Sequence, residues 1–226
     1  MDDIVISQKE AVEYAEFKRQ KRIAEVCRLL KKVECDLTEV DGELLKKRAL
    51  ACRDGGFGYI RVNPLQLCEV KPLVSPFPIV CGTEEVDSAL KTKITAVRCA
   101  VRGGADEIVA SLASFADEGY LRKEFRRLKR AAAGRKIFFR AGRADLGKQA
   151  AEFADANFVT DGSQVRSVKE LGSGTVTAEG VFSAQECRRV LSEGADRICT
   201  ADYARLAEEL FAEANRPEVI GREAEE

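Results

Sequence analysis

The sequence contains no histidine. That single absence removes the Ser–His and Cys–His nucleophile pairs and every mechanism in which an imidazole acts as general base. It also removes the commonest nitrogen ligand of zinc. The eight cysteines (27, 35, 52, 68, 81, 99, 187 and 199) include no CxxC pair, so no zinc centre is expected, and no other cofactor either. An excess of one charge is missing too. Lys+Arg 37 against Asp+Glu 38 leaves a formal net charge of −1, which argues against a nucleic-acid or membrane-surface partner. No apolar run approaches the length of a membrane span. The opening residues, Met-Asp-Asp-Ile-Val-Ile-Ser-Gln-Lys-Glu, lack the basic start and long apolar core of a signal peptide. Together these absences predict a cytoplasmic protein with free, mostly buried thiols.

What is present is an alternation. The 226 residues suit one α/β domain. Residues 9–32 are charged and helix-favouring, with Val12, Tyr14, Ala15, Ile23, Val26, Leu29 and Leu30 at helix-like spacing. They predict a helical extension over 1–32 that caps the body or contacts a partner subunit. Strands are expected over 33–37, 58–62, 73–80, 107–112, 136–140, 157–161, 174–179 and 196–200. Helices are expected over 42–53, 84–102, 119–133, 145–154, 183–192 and 203–214, several of them stopped by glycine. Eight strands, mostly separated by helices, predict a closed (β/α)8 TIM barrel over 33–216, followed by a loose acidic tail over 217–226. An open doubly wound sheet is the alternative, but the first strand is not followed by a glycine-rich phosphate turn.

Several segments stand in a familiar order: Asp36-Leu37-Thr38, Val62-Asn63-Pro64, Phe77-Pro78, Lys91-Thr92-Lys93-Ile94, Gly104-Ala105-Asp106-Glu107-Ile108, Lys136-Ile137, Ala156-Asn157-Phe158-Val159 and Gly194-Ala195-Asp196-Arg197-Ile198. In this order the chain resembles the deoxyribose-phosphate aldolases over roughly residues 35–211. The resemblance implies a barrel whose family cleaves a phosphorylated deoxysugar through a lysine Schiff base, with a second lysine to keep that amine reactive and an aspartate to move protons. It also implies which positions here should carry them. The family's Phe-Val-Lys becomes Phe158-Val159-Thr160, its second lysine becomes Thr177, and its aspartate becomes Val109. A threonine hydroxyl cannot form an iminium. The same resemblance puts phosphate binding at the glycines and first turns after the late strands, here Gly162, Gly180 and Thr200.

Strand alternation indicates what replaces those groups. Glu34, Asp36 and Thr38 are expected to point into the barrel from the first strand, and Tyr59, Arg61 and Asn63 from the second. Val109 and Ser111 follow from the fourth, Phe138 and Arg140 from the fifth, and Thr175, Thr177 and Glu179 from the seventh. The candidate pocket is therefore Asp36, Arg61, Asn63, Arg140, Asp161 and Glu179. A buried arginine needs a carboxylate or a bound anion. Either Arg61 and Arg140 pair with Asp36 and Glu179, or they form a fork for a small anionic or phosphorylated ligand. Diffuse carboxylates near the strand tips (Asp36, Asp161, Glu179, Asp202) make a poor hard-cation site, so no metal is expected. Cys199 is the one thiol placed near a strand tip.

Three functions follow as expectations. One is a pseudoenzyme or anionic-ligand binder, with a homo-oligomer as a possible assembly. Another is a lyase with a relocated lysine, the candidates being Lys71, Lys93 and Lys148. The third is a different reaction on an anionic substrate through Arg61, Arg140, Asp161 and Glu179. The basic run 122–130 has Leu121, Phe125 and Leu128 on one helical face, the pattern of a solvated barrel helix.

Overall fold

Short apolar runs, each stopped by a turn, form the eight expected strands, and in the computed structural model of the chain they close on themselves. The structure describes residues 8–83, 89–113, 117–140, 156–172 and 174–217. The strands are β1 (Val33–Asp36), β2 (Tyr59–Val62), β3 (Ile79–Thr83), β4 (Glu107–Ser111), β5 (Lys136–Arg140), β6 (Asn157–Asp161), β7 (Val176–Glu179) and β8 (Arg197–Thr200). All pair in parallel in chain order, and β8 returns to β1. The fold is a (β/α)8 TIM barrel. Its helices are α1 (Gln8–Leu30), α2 (Gly42–Asp54), α3 (Leu67–Val74), α4 (Leu90–Arg102), α5 (Glu118–Ala131), α6 (Val165–Glu170), α7 (Ala184–Ser192) and α8 (Tyr203–Ala214). The helix expected over 145–154 lies outside the described residues.

Two faces of each strand make two cores. Ile60, Ile79, Ile108, Phe139, Phe158, Val176 and Ile198 join the buried layer between sheet and helices. Val80, Val109, Phe138 and Val159, with Tyr59 against them, fill the barrel itself. The helix-facing layer is built by periodicity. In α5, Leu121, Phe125 and Leu128 are buried while the basic residues between them face out, so the charge run belongs to a solvated helix face. Glu124 breaks the pattern: it is fully buried beside Lys93, with Nζ–Oε1 at 2.8 Å.

Two expected elements differ. Residues 73–80 were expected to be extended, but α3 continues to Val74 and β3 begins only at Ile79. Leu67, Val70 and Val74 bury one face of α3, and that burial outweighs the one backbone bond lost at Pro72. The helix ends at Ser75, whose extended ψ of 135° is what the following proline demands. Helix α4 starts at Leu90 rather than 84, after an extended Ala89; residues 84–88 are outside the description.

At the N-terminus, Val26 and Leu30 of α1 are buried, and Arg22 donates to the carbonyl of Ala214 at 3.0 Å, tying the helix to the end of α8. Val12, Tyr14 and Phe17, nearer its start, are exposed.

The two Gly-Ala-Asp segments are one structural device used twice. Gly104 (φ +85°) and Gly194 (φ +108°) end α4 and α7 in left-handed geometry. The next N–H of each reaches back into its helix, Ala105 to Ala100 O and Ala195 to Val190 O. Asp106 Oδ2 then accepts from Ile79 N (2.9 Å) and Lys71 Nζ (2.7 Å). Asp196 Oδ2 accepts from Val176 N (2.9 Å) and Lys169 Nζ (2.8 Å). Each aspartate thus pins the start of the preceding strand to the helix before it. Because the geometry is the same, Asp106→Ala and Asp196→Ala should cost nearly equal amounts, about 1–2 kcal/mol each in urea unfolding, since each orphans one backbone N–H. Burial raises the Asp196 carboxyl, but Lys169 and the Val176 N–H more than reverse this and hold it below the usual aspartate range. Its contribution is therefore complete at neutral pH and is lost only as pH falls through that depressed value.

Candidate functional site

The residue following each aspartate of the repeated device faces its counterpart across the barrel. Arg197 donates two hydrogen bonds to the two carboxylate oxygens of Glu107, Nη2–Oε1 at 3.0 Å. The guanidinium carbon also lies 3.7 Å from the centroid of the Tyr59 ring. Lys136, at the start of β5, donates to Thr175 Oγ1 at 2.9 Å, and burial followed by the nearby Arg197 charge lowers its pKa. These groups form a polar floor at the N-terminal ends of the strands. Above it lies the apolar layer of Val80, Val109, Phe138 and Val159. The C-terminal mouth, where barrels of this type carry their chemistry, lies above that.

At the mouth three expected residues come together. Glu179, the last residue of β7, accepts at Oε1 from Arg61 Nη1 and from Arg140 Nη2, the latter at 2.6 Å. Arg61 is fully buried, whereas the side chains of Glu179 and Arg140 are 25% and 23% exposed. The second carboxylate on Arg61 is Glu34, which accepts from Nε. The expected partner Asp36 instead accepts from Thr38 N (3.0 Å) and Thr38 Oγ1 (2.7 Å), closing the turn after β1. The alternation of β1 had already turned Glu34 inward, but alternation cannot say which of two inward carboxylates reaches a given arginine. The Glu107–Arg197 pair had the same signal, since Ile108 and Ile198 face the helices.

Burial raises the Glu34 carboxyl above the ordinary glutamate range, and the charge and hydrogen bond of Arg61 offset only part of that rise. For Arg61, burial opposes the charge, while Glu34, Glu179 and Asp36 favour it. Cys199 is buried next to this cluster. Desolvation drives its thiol well above the ordinary range, and the neighbouring carboxylates add to that against Arg61. It is held as a neutral thiol, not as a nucleophile.

The other expected residues shape the loops. Asn63 Oδ1 accepts from Leu65 N and Gln66 N, and its Nδ2 donates to Thr38 O. Gln66, which sequence reasoning passed over, is buried and donates to the carbonyls of Leu37, Thr38 and Val40. Asp161 is exposed and accepts from Ser163 N (2.8 Å) and Oγ (2.6 Å), bonds that hold its carboxyl below the usual range. Among the residues proposed for phosphate, the Gly162 N–H donates to Glu179 O, and Thr200 Oγ1 accepts from Asp202 N at 3.1 Å. Gly180 turns the chain out of β7 at φ +70°.

Thr177 points inward and is buried. Thr160 does not point inward. It lies level with Ala178 of the helix-facing core, whereas Val159 lies level with Thr177 and belongs to the barrel interior. Thr160 Oγ1 is 3.5 Å from Gln164 Oε1. Of the lysines considered as replacements, Lys93 is buried in its ion pair with Glu124 and donates to Ser111 O. Lys71 is bound to Asp106, and Lys148 is outside the described residues. Lys136 is the one lysine in a described strand. Among the described residues no cluster of three His, Cys, Asp or Glu could hold a metal ion.

No family model and no curated protein matches the sequence. Solved structures do match the fold. QR15, an aldolase, superposes with a TM-score of 0.71 at 18% identity, over 81% of this chain and 96% of its own. The tetrameric deoxyribose phosphate aldolase from Aeropyrum pernix gives 0.70 at 16% identity, over 90% and 97%. The N-acetylmannosamine-6-phosphate 2-epimerase from Clostridium perfringens gives 0.57 at 15%, over 80% and 91%. The likeness is one of fold. An epimerase stands on the same barrel as the aldolases, so the activity has to be argued from the side chains at the mouth.

Proposed function

We propose that this is an aldolase-like barrel without Schiff-base chemistry, a pseudoenzyme in that sense, which binds a small anionic ligand non-covalently at its mouth. One observation carries the reading. No described strand ends in a lysine, and where an amine nucleophile would stand the mouth presents the Arg61–Glu179–Arg140 cluster. An imine-forming lysine must be a free amine facing a pocket. Lys93 and Lys71 are tied to carboxylates outside the barrel, and Lys136 lies at the opposite end. Two guanidiniums at the mouth, by contrast, suit the recognition of carboxylate or phosphoryl oxygens. Eight cysteines, with every one described as a free thiol, suit a reducing cytoplasm. No described helix is long and apolar enough to cross a membrane.

The test is reductive trapping. The protein is incubated with 2-deoxyribose 5-phosphate or with acetaldehyde, treated with borohydride, and weighed intact. The expected mass is that of the unmodified chain. A covalent adduct mapping to one lysine would overturn the reading in favour of a lyase with a relocated amine.

A further inference from the structure

We infer that the Glu179 carboxylate sits in a built oxyanion site and acts as its internal occupant, displaced when a ligand carboxylate or phosphoryl group arrives. This rests on the reading of the mouth as an anion-binding site and specifies how that site works.

The geometry at Glu179 is that of a bound anion. One carboxylate oxygen is shared by guanidiniums from β2 and β5, strands that are not neighbours of β7 or of each other. Around it the wall leaves buried polar groups unmet. Arg61 spends Nε on Glu34 and Nη1 on Glu179, but its buried Nη2 has no hydrogen-bond partner among the described residues. The buried hydroxyls of Ser111 and Thr177 are likewise without partners. Ser111 lies level with Arg140 on the neighbouring strand, and Thr177 is two residues before Glu179 on the same inward face. A hydroxyl can donate or accept, but a guanidinium nitrogen can only donate. A fully buried Nη2 therefore calls for an acceptor, and leaving it unmet costs free energy. Such a wall excludes a cation and fits an oxyanion.

Charge sets the ligand class further. Glu34 is buried and stays on Arg61. Glu179 is partly exposed and ends its strand beside Gly180, so it can swing toward water. Its release leaves the Arg61 and Arg140 guanidiniums facing the vacated position, with Glu34 still on Arg61. A carboxylate or phosphoryl group suits that pair of guanidiniums. The nearby carboxylates of Asp36 and Asp161 are held in their own turns and disfavour a more highly charged ligand.

The experiment measures binding of acetate and of inorganic phosphate by calorimetry, at constant ionic strength, to the wild type, Glu179→Ala and Glu179→Ala/Arg140→Ala. Removing the internal competitor should tighten binding of at least one anion by about tenfold or more, and removing Arg140 as well should abolish the gain. Tighter acetate points to a carboxylate ligand and tighter phosphate to a phosphoryl one. If Glu179→Ala binds neither anion better than wild type, or the gain survives loss of Arg140, the inference is overturned; the second result would mean an adventitious ion only. Glu179→Gln keeps the side-chain volume and covers the case in which Glu179→Ala fails to fold. It should show a gain of the same sign, and no gain there also overturns the inference. No aldehyde enters this assay, so an adduct in the trapping experiment would sink the non-covalent reading without touching the oxyanion site.

Discussion

Replacing Arg61 with methionine should destabilise the fold by about 3–5 kcal/mol, because it strands a fully buried carboxylate. Glu179 keeps Arg140 in that variant, but Glu34 loses the guanidinium that its carboxylate oxygen Oε1 receives. The penalty belongs to the unpaired charge and not to a net attraction of the pair. The double variant Glu34→Leu/Arg61→Met should accordingly recover most of the loss. The pH dependence separates these causes. With Arg61 gone, only the weaker influence of the Arg197 charge opposes the burial that already raises Glu34. The folded state then takes up the proton at a higher pH than the unfolded chain does. Stability of Arg61→Met should therefore rise as pH falls from neutral toward the ordinary glutamate range, and level off below it. Urea unfolding at neutral pH and at about pH 5 checks this. A penalty that does not shrink on acidification would show that lost packing, not stranded charge, sets the cost.

The same cluster shows what the sequence makes legible. Which side chains enter the barrel could be read off, because period-2 alternation is a property of one strand at a time. Val109, Phe138, Arg61, Arg140, Thr177 and Glu179 all stand inside as that period requires. Which inward groups meet is a property of the barrel's stagger. Asp36 is level with Arg61 in the β1–β2 register, yet Arg61 turns to Glu34, two residues lower, and to Glu179 across the barrel. The chain around α3 was misread for a different reason. Prolines 72, 76 and 78 signal extended structure, while one apolar stripe buried against the barrel holds a helix despite the first of them. Asp36, Asn63 and Asp161 illustrate a third limit. Each is a polar residue at a strand tip, the signature of a ligand group, and each is used to hold its own loop.

Thr160 offers the sharpest test of register at the mouth. Thr160→Val should change stability by less than about 1 kcal/mol, because the hydroxyl has only the long 3.5 Å approach to Gln164. Thr160→Lys should cost about 3 kcal/mol or more. The side chain is 1% exposed and shares its level with Ala178, so an ammonium there enters the apolar layer between sheet and helices, where desolvation penalises its charge. The outcome would be the reverse if the side chain reached the mouth. A lysine would then lie near Glu179 and Asp161, pair with them, and cost little. Urea unfolding of the two variants decides between these placements. Tolerance of the lysine would return position 160 to the role that the resemblance implied and would put an amine within reach of a carbonyl. The expected intolerance means that this barrel cannot acquire an inward amine by that single substitution, since the strand turns the position away from its own pocket.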